Sequence, residues 1–215
     1  GVDASGLELR MLAHYMDDKE YVNEIINGDI HTANQTFAGL KSRDQAKTFI
    51  YALVYGAGDE KIGSIIKGSR ADGKQLRERF LSSLPAYRTL KDRVDRAATK
   101  TFLKGLDGRK LYIRNKHAAL NTLLQGAGAI LMKKAVEVFH YDLAVTDRHV
   151  ENNIPRTFAY CANVHDEQQF TTAPENAERI GELFCEAISQ AAIRLDLRCP
   201  LSGTYSIGNN WKETH

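Results

Sequence analysis

Cysteine is scarce in this chain: three residues among 215, at positions 161, 185 and 199, an odd and scattered set without paired spacing. Neither a disulfide framework nor a zinc site is built that way. No apolar run approaches the roughly 18 residues of a membrane span. Nothing at the start resembles a secretory leader. Together these absences lead us to expect a reducing, cytoplasmic setting. Proline is equally rare, with four residues. There is no Pro/Ser-rich linker, internal repeat or low-complexity tract, so the segments are expected to pack together. What is present is 43% hydrophobic residues with 26% charged, in a length that can bury one sizeable core or two small ones.

The net charge of +2 conceals an uneven distribution. Residues 1–60 carry 5 Lys/Arg against 10 Asp/Glu, residues 61–116 carry 16 against 5, and residues 117–215 carry 8 against 12. A basic middle between acidic flanks is the footprint of a surface for a polyanion. A solvated helical surface rich in Lys and Arg gives the same count.

The periodicities describe an α+β chain. GVDAS reads as a short strand, and GLELRMLAHYM as a helix with Leu7, Met11 and Leu12 on one side and Glu8 elsewhere. Ser42 and Gln45 of SRDQ form a capping box for a helix to Tyr55, stopped by Gly56. Helices follow in DEKIGSIIK, in GKQLRERFLSSL and after Pro85. FLKGLDGRKLYI is a hairpin turning at Asp107-Gly108. A long helix is expected over Ala118–Tyr141. Antiparallel strands RTFAYCANV and QQFTT are joined across HDE, and a last helix runs from Pro174 to near Leu195.

Two places carry chemistry. In SRDQAKTFIYALVYG, Arg43, Lys47, Tyr51 and Tyr55 recur every four residues, each step drifting about 40° around the helix. Arg43 lies in the first turn, where the helix dipole disfavours a cation. A polyanion bound at that end makes sense of it, with free amides and cations acting together. Two cations followed by two aromatic rings suit a nucleotide, triphosphate at one end and base at the other. The plain alternative is a surface helix with two solvated cations and two half-buried tyrosines.

The second place pairs Asp166, in the VHDEQQF turn, with Asp3, 163 positions earlier at the end of an apolar strand. Alone, Asp166 reads as an ordinary turn residue. If the two strands share a sheet, the carboxylates converge at its rim. Two hard oxygen ligands then suit Mg²⁺, which keeps waters and phosphate oxygens in its shell. Two such ions can activate an attacking hydroxyl and neutralise a leaving pyrophosphate.

These residues resemble family A DNA polymerases, and most of all their phage replicative branch. The resemblance is carried by DASGLELR, the Arg43-Lys47-Tyr51-Tyr55-Gly56 series, NTLLQGAGA and VHDE, with GDIHT, RDQAKTFIY, YGAGDEKIG and GLDGRK in the expected order. It extends from Gly1 to His215. It implies a partial antiparallel palm sheet with a mostly helical fingers subdomain. Residues 1–15 would be the first palm strand and the start of a helix, 16–104 the fingers with a nucleotide-binding helix over 42–56, and 105–215 the rest of the palm. Asp3, Asp166 and the Ala4 carbonyl would hold two Mg²⁺ ions. Glu8 would be the steric gate against a 2′-hydroxyl. His31, Arg43 and Lys47 would contact the dNTP triphosphate, with Lys47 protonating the pyrophosphate. Tyr51 would pack on sugar and base, and Tyr55 would hold template geometry. Asn121, Gln125 and His165 would touch the primer–template minor groove. The basic segment 61–116 would face the template, where phosphate contacts set register without reading sequence.

In this reading a thumb, the first palm strands and an exonuclease would lie in a missing N-terminal half. The start at Gly1 then reads as that of a truncated, split or cleaved product, and the terminal NW…H as a natural end. A phage-encoded protein in the host cytoplasm is implied, with primer–template DNA and dNTPs as partners and no membrane. Two other readings stand beside it. One is a catalytically silent, DNA-binding polymerase fragment. The other is a single-subunit RNA polymerase, against which Glu8 argues because a ribonucleotide enzyme needs room at that position.

Overall fold

The computed structural model describes residues 1–144 and 158–214; Arg156 and Thr157 of the expected strand, and His215 of the terminal motif, lie outside them. The chain is mixed α+β and mostly helical. It divides into two compact units, residues 1–11 with 127–215, and residues 12–126.

The first unit is built on an antiparallel sheet. Among the described residues its strands are β1 (Val2–Ala4), β4 (Phe158–Val164), β5 (Glu167–Thr172) and β6 (Gly203–Tyr205), in the order β4-β5-β1-β6. In β1 the side chains alternate, with Val2 and Ala4 buried and Asp3 exposed, as a strand with one covered face requires. Helix α9 (Pro174–Arg194) buries Ile180, Leu183, Phe184, Ala187, Ile188 and Ala191, spaced by three and four. Phe139, Phe158, Phe170 and Phe184 meet at centroid separations of 5.1–5.9 Å, mostly edge to face, the arrangement favoured by the ring quadrupole. The β4–β5 register shifts between Tyr160 and Ala162, leaving Cys161 as the extra residue of a bulge. Gly181 lets the Tyr205 ring lie against α9; a Cβ there would stand 2.6 Å from it.

The second unit packs α2 (Lys19–Ile26), α3 (Ile30–Ala38), α4 (Arg43–Val54), α5 (Asp59–Ile65), α6 (Arg70–Ser83) and α7 (Pro85–Ala98) with the hairpin β2 (Phe102–Lys104) and β3 (Lys110–Tyr112). Helices α1 (Leu7–Met16) and α8 (Ala119–Val138) contribute residues to both units. Each of α2, α3 and α4 starts where a side-chain oxygen accepts free first-turn amides. Asp18 takes those of Glu20 and Tyr21, Asp29 that of His31, and Ser42 that of Gln45. Phe49, Phe80 and Tyr87 stack edge to face at 5.3 and 5.6 Å in the core. Among the described residues no helix is long and apolar enough to cross a membrane.

Several expectations need adjusting. Ser42 caps α4, but the reciprocal capping box is at Ser69 and Asp72, where both halves are made; a shorter acid replaces the expected Glu or Gln. Tyr55 is the C-cap of α4 rather than a helical residue, and Gly56 follows at φ 78°. The hairpin does not turn on two residues. Gly105 N–H bonds the Arg109 carbonyl at 2.8 Å, and Gly108 at φ 85° sits inside that longer loop. The long helix gives way after Val138 to a π-helical turn over Phe139–Leu143. β6 was not foreseen: three residues, GTY, are too short to alternate visibly. Helix α1 is buried on several sides, with Leu7, Leu9, Met11, Leu12 and Ala13 all in the core.

Two glycines set how closely α5 and α6 approach. A Cβ on Gly73 would collide with the Asp59 carbonyl and lie 2.6 Å from the Gly63 nitrogen. Both obstacles are backbone, which cannot swing aside. We expect Gly73→Ala to lower stability by about 1–3 kcal/mol, read as a lower urea midpoint; an unchanged midpoint would mean that the two helices separate freely.

Candidate active site

The sheet brings Asp3 and Asp166 to neighbouring positions on one rim. Asp3 stands opposite Glu167 in the β1–β5 register, and the Ala4 N–H donates to the Asp166 carbonyl at 2.9 Å. Asp166 occupies the two-residue connection between β4 and β5. Its neighbour His165 has φ 61°, a left-handed conformation uncommon for a residue other than glycine. His165 Nε2 lies 3.5 Å from Glu8 Oε1, and the Glu8 side chain is only 12% exposed. Glu8 therefore faces this turn from the first turn of α1 rather than standing in solvent. Glu167 points into the interior and accepts a hydrogen bond from Gln169 Nε2.

Removal from water raises the Asp166 carboxyl above its ordinary value. The negative charges of Glu8 and Glu167 add to that, while the backbone amide of Asp166 and the His165 ring oppose it. Such a concentration of carboxylates favours a bound cation. Among the described residues, no group of three or more His, Cys, Asp or Glu side chains is arranged as a metal cage. Asp3, Asp166 and the Ala4 carbonyl are oxygen donors, and a pair of carboxylates fits the ion that completes its shell with water and phosphate oxygens, Mg²⁺.

The helical unit gathers a second group. Arg43 and Lys47 are exposed one turn apart at the start of α4, and Tyr51 follows half-buried. The His31 and Tyr51 ring centroids are 6.4 Å apart. Burial, then the charges of Arg43 and Lys47, lower the His31 pKa, so the ring is neutral near pH 7. Its Nδ1 is buried and has no hydrogen-bond partner. Gln125 Nε2 donates to the Tyr55 hydroxyl at 3.3 Å, which ties the end of α4 to α8. Asn121 stands one turn before Gln125, and its Oδ1 is buried without a partner.

Asp29 was missed from the sequence. It caps α3, and both its oxygens also engage Arg43, at 2.6 Å from Nε and 3.2 Å from NH2. The hydrogen bond to Arg43 is the main reason that its carboxyl is held far below the usual range. A cation at the start of α4 thus has a protein partner, and an external anion is not needed to explain its presence there. The signal was in GDIHT: an Asp two residues before His31 reads as a cap, but the 14 residues to Arg43 hide the pairing.

The sequence matches the family model for DNA polymerase family A over residues 1–213. The chain belongs to that family. Over its whole length the chain is 42% identical to the DNA-directed DNA polymerase of Enterobacteria phage T3 and 41% identical to that of Escherichia phage T7. It spans 33% of each of those relatives. The polymerase of Escherichia phage Phieco32 is 38% identical, with 39% of its length covered. Among solved structures, the POL domain of Pol1 from M. smegmatis, in complex with DNA primer-template and dNTP, superimposes with a TM-score of 0.81. That match covers 99% of this chain and 40% of the other at 22% identity, which establishes the shared fold.

The raised Asp166 pKa has a consequence for stability. The folded state binds the Asp166 proton more tightly than the unfolded state. Stability therefore falls as pH rises from about 3.8 through the folded value, and the deficit persists at neutral pH. In metal-free buffer, Asp166→Asn should raise the melting temperature at pH 7. The gain should vanish below about pH 3, where the carboxyl is protonated in both states. Equal melting temperatures at pH 7 would contradict the charge penalty.

Proposed function

We propose that this chain carries the fingers and C-terminal palm part of a template-directed DNA polymerase, transferring a nucleotide from a dNTP to a primer 3′-hydroxyl. The observation that carries the proposal is the β1–β5 register, which sets carboxylates 163 positions apart on one rim. The names of the phage relatives support it, as does the complex in which the related fold occurs.

In this reading Asp3, Asp166 and the Ala4 carbonyl hold two Mg²⁺ ions. When bound, such ions lower the pKa of the attacking hydroxyl and offset the charge of the leaving pyrophosphate. The protein's own groups do the rest. Arg43 and Lys47 bind the triphosphate, and Lys47 delivers a proton to the departing pyrophosphate. Neutral His31 adds a hydrogen bond without adding charge. Tyr51 packs on sugar and base. Glu8 occupies the space of a 2′-hydroxyl and excludes ribonucleotides. Tyr55, Asn121, Gln125 and His165 hold the primer–template, with Gln125 fixing the Tyr55 hydroxyl. The basic segment 61–116 follows the template backbone. The chain spans about a third of the length of its phage relatives; in this reading the remaining part of the polymerase acts with it.

Mg²⁺-dependent extension of a labelled primer–template tests the proposal, with the chain alone and with the remaining part of a phage-type polymerase supplied separately. dNTP incorporation is expected in the second format, with a loss of at least about a thousandfold on Asp166→Asn and DNA affinity retained. Turnover that survives the substitution would remove Asp166 from the chemistry. Glu8→Ala should narrow the preference for dNTPs over rNTPs; an unchanged ratio of kcat/KM values would reject the gate.

A further inference from the structure

Ser5 and Gly6 are the whole connection between β1 and α1, and they follow directly on Asp3 and Ala4. Gly6 makes the turn at φ 59°, in the left-handed region that favours glycine. Ser5 is half-buried and Gly6 exposed, so two small residues do little by packing to fix the direction of the turn.

Main-chain bonds hold it on both sides. The Ala4 N–H donates to the Asp166 carbonyl at 2.9 Å, and the Ser5 N–H donates to the Ser202 carbonyl at 3.0 Å. Ser202 immediately precedes β6, and β1 lies between β5 and β6, so the two bonds run in opposite directions. Among the described residues no peptide is cis, and in a trans peptide the C=O points opposite to the N–H. The Ser5 N–H belongs to the same peptide group as the Ala4 carbonyl. That carbonyl is therefore turned away from Ser202, toward the side of β1 on which Asp166 lies. Whatever holds Ser5 to Ser202 also aims Ala4.

Arg10 supplies the second tie. It stands half-buried in α1, five residues after Ser5. Its Nε donates to the Ser5 carbonyl at 2.9 Å, and a terminal guanidinium nitrogen donates to the Pro200 carbonyl. The buried Cys199 side chain is a further hydrogen-bond partner. Ser5 and the segment before β6 are thus joined twice, once through the main chain and once through the guanidinium. Both carbonyl acceptors are main-chain groups rather than carboxylates, so the flat fork is used for its geometry. A lysine, one point donor on a flexible stem, does not reproduce it.

We infer that Arg10 is a positioning residue of the metal site: it clamps the Ser5 turn to the segment before β6 and so holds the Ala4 carbonyl toward Asp166. Groups that orient a metal ligand in this way commonly account for about ten- to a hundredfold of metal affinity. The inference rests on the reading of Asp3, Ala4 and Asp166 as metal ligands. Charge alone predicts the opposite sign, because a cation near the site repels a metal ion.

Mn²⁺, a spectroscopic stand-in for Mg²⁺ at oxygen ligands, tests this without turnover, its binding to the chain being followed by the EPR signal of the free ion. Arg10→Lys and Arg10→Met should each weaken Mn²⁺ binding at least about tenfold and speed exchange of the Ser5 amide at least about tenfold. Should Arg10→Met not fold, the lysine variant decides. Ile180→Val, a small deletion at a buried position of α9, controls for lost stability and should leave the affinity within about twofold of the unaltered protein. Affinity unchanged or raised in the Arg10 variants, or lowered as much by Ile180→Val, overturns the inference. Asp166→Asn identifies the site: if the unaltered protein shows no Mn²⁺ binding that this substitution weakens, the metal reading falls and the inference falls with it.

Discussion

The pairing of β1 with β5 is the contact on which the site in the sheet depends. Three residues of strand are weak in isolation, and this one is held on both sides by antiparallel neighbours and from below by α9. Its register decides which side chains meet. A slip of one residue would turn Asp3 inward and expose Val2, an exchange that the buried face opposes strongly. Apolar burial thus fixes the address of a carboxylate that contributes nothing to burial itself. The His165–Asp166 turn completes the arrangement by spending a left-handed residue to reverse the chain in two positions.

Charge is handled differently in the two units. In the sheet unit, like charges accumulate: Asp166 is partly withdrawn from water and has Glu8 and Glu167 among its electrostatic neighbours, with His165 as a partial counterweight. In the helical unit, cations are balanced locally, since Arg43 meets Asp29 and His31 remains neutral. The first arrangement sets like charges against one another. The second is stable as it stands. This contrast fits a family whose members act on polyanions.

Much of this was legible in the sequence for identifiable reasons. Alternation in GVDAS, the four-residue spacing from Arg43 to Tyr55, Pro174 at a first turn and Gly56 at a helix end are local signals, and local physics decided them. Asp3 and Asp166 could be read as neighbours only as a pair, because either alone reads in the sequence as an ordinary acid. What escaped depends on distant contacts. The GTY strand exists because β1 offers it an edge. Asp29, missed from the sequence, is both a cap and a counter-ion. Glu8 looked like the polar side of an amphipathic helix, but α1 is enclosed on several sides. The Asp107-Gly108 signal gave the hairpin but not its loop length, because the bond between Gly105 and Arg109 moved the ends of the turn outward.

The Asp29–Arg43 pair also sets a threshold. Any anion that uses the Arg43 guanidinium must compete with a carboxylate already bound in fork geometry, whose departure would also cost the His31 amide and the Thr32 hydroxyl their acceptor. A singly charged ligand offers little more than the carboxylate it would replace. A ligand with several charges can outbid it by engaging Lys47 at the same time. On the nucleotide-binding reading, an intramolecular acid thus acts as a filter on ligand charge, so that the start of α4 favours a triphosphate over small singly charged anions.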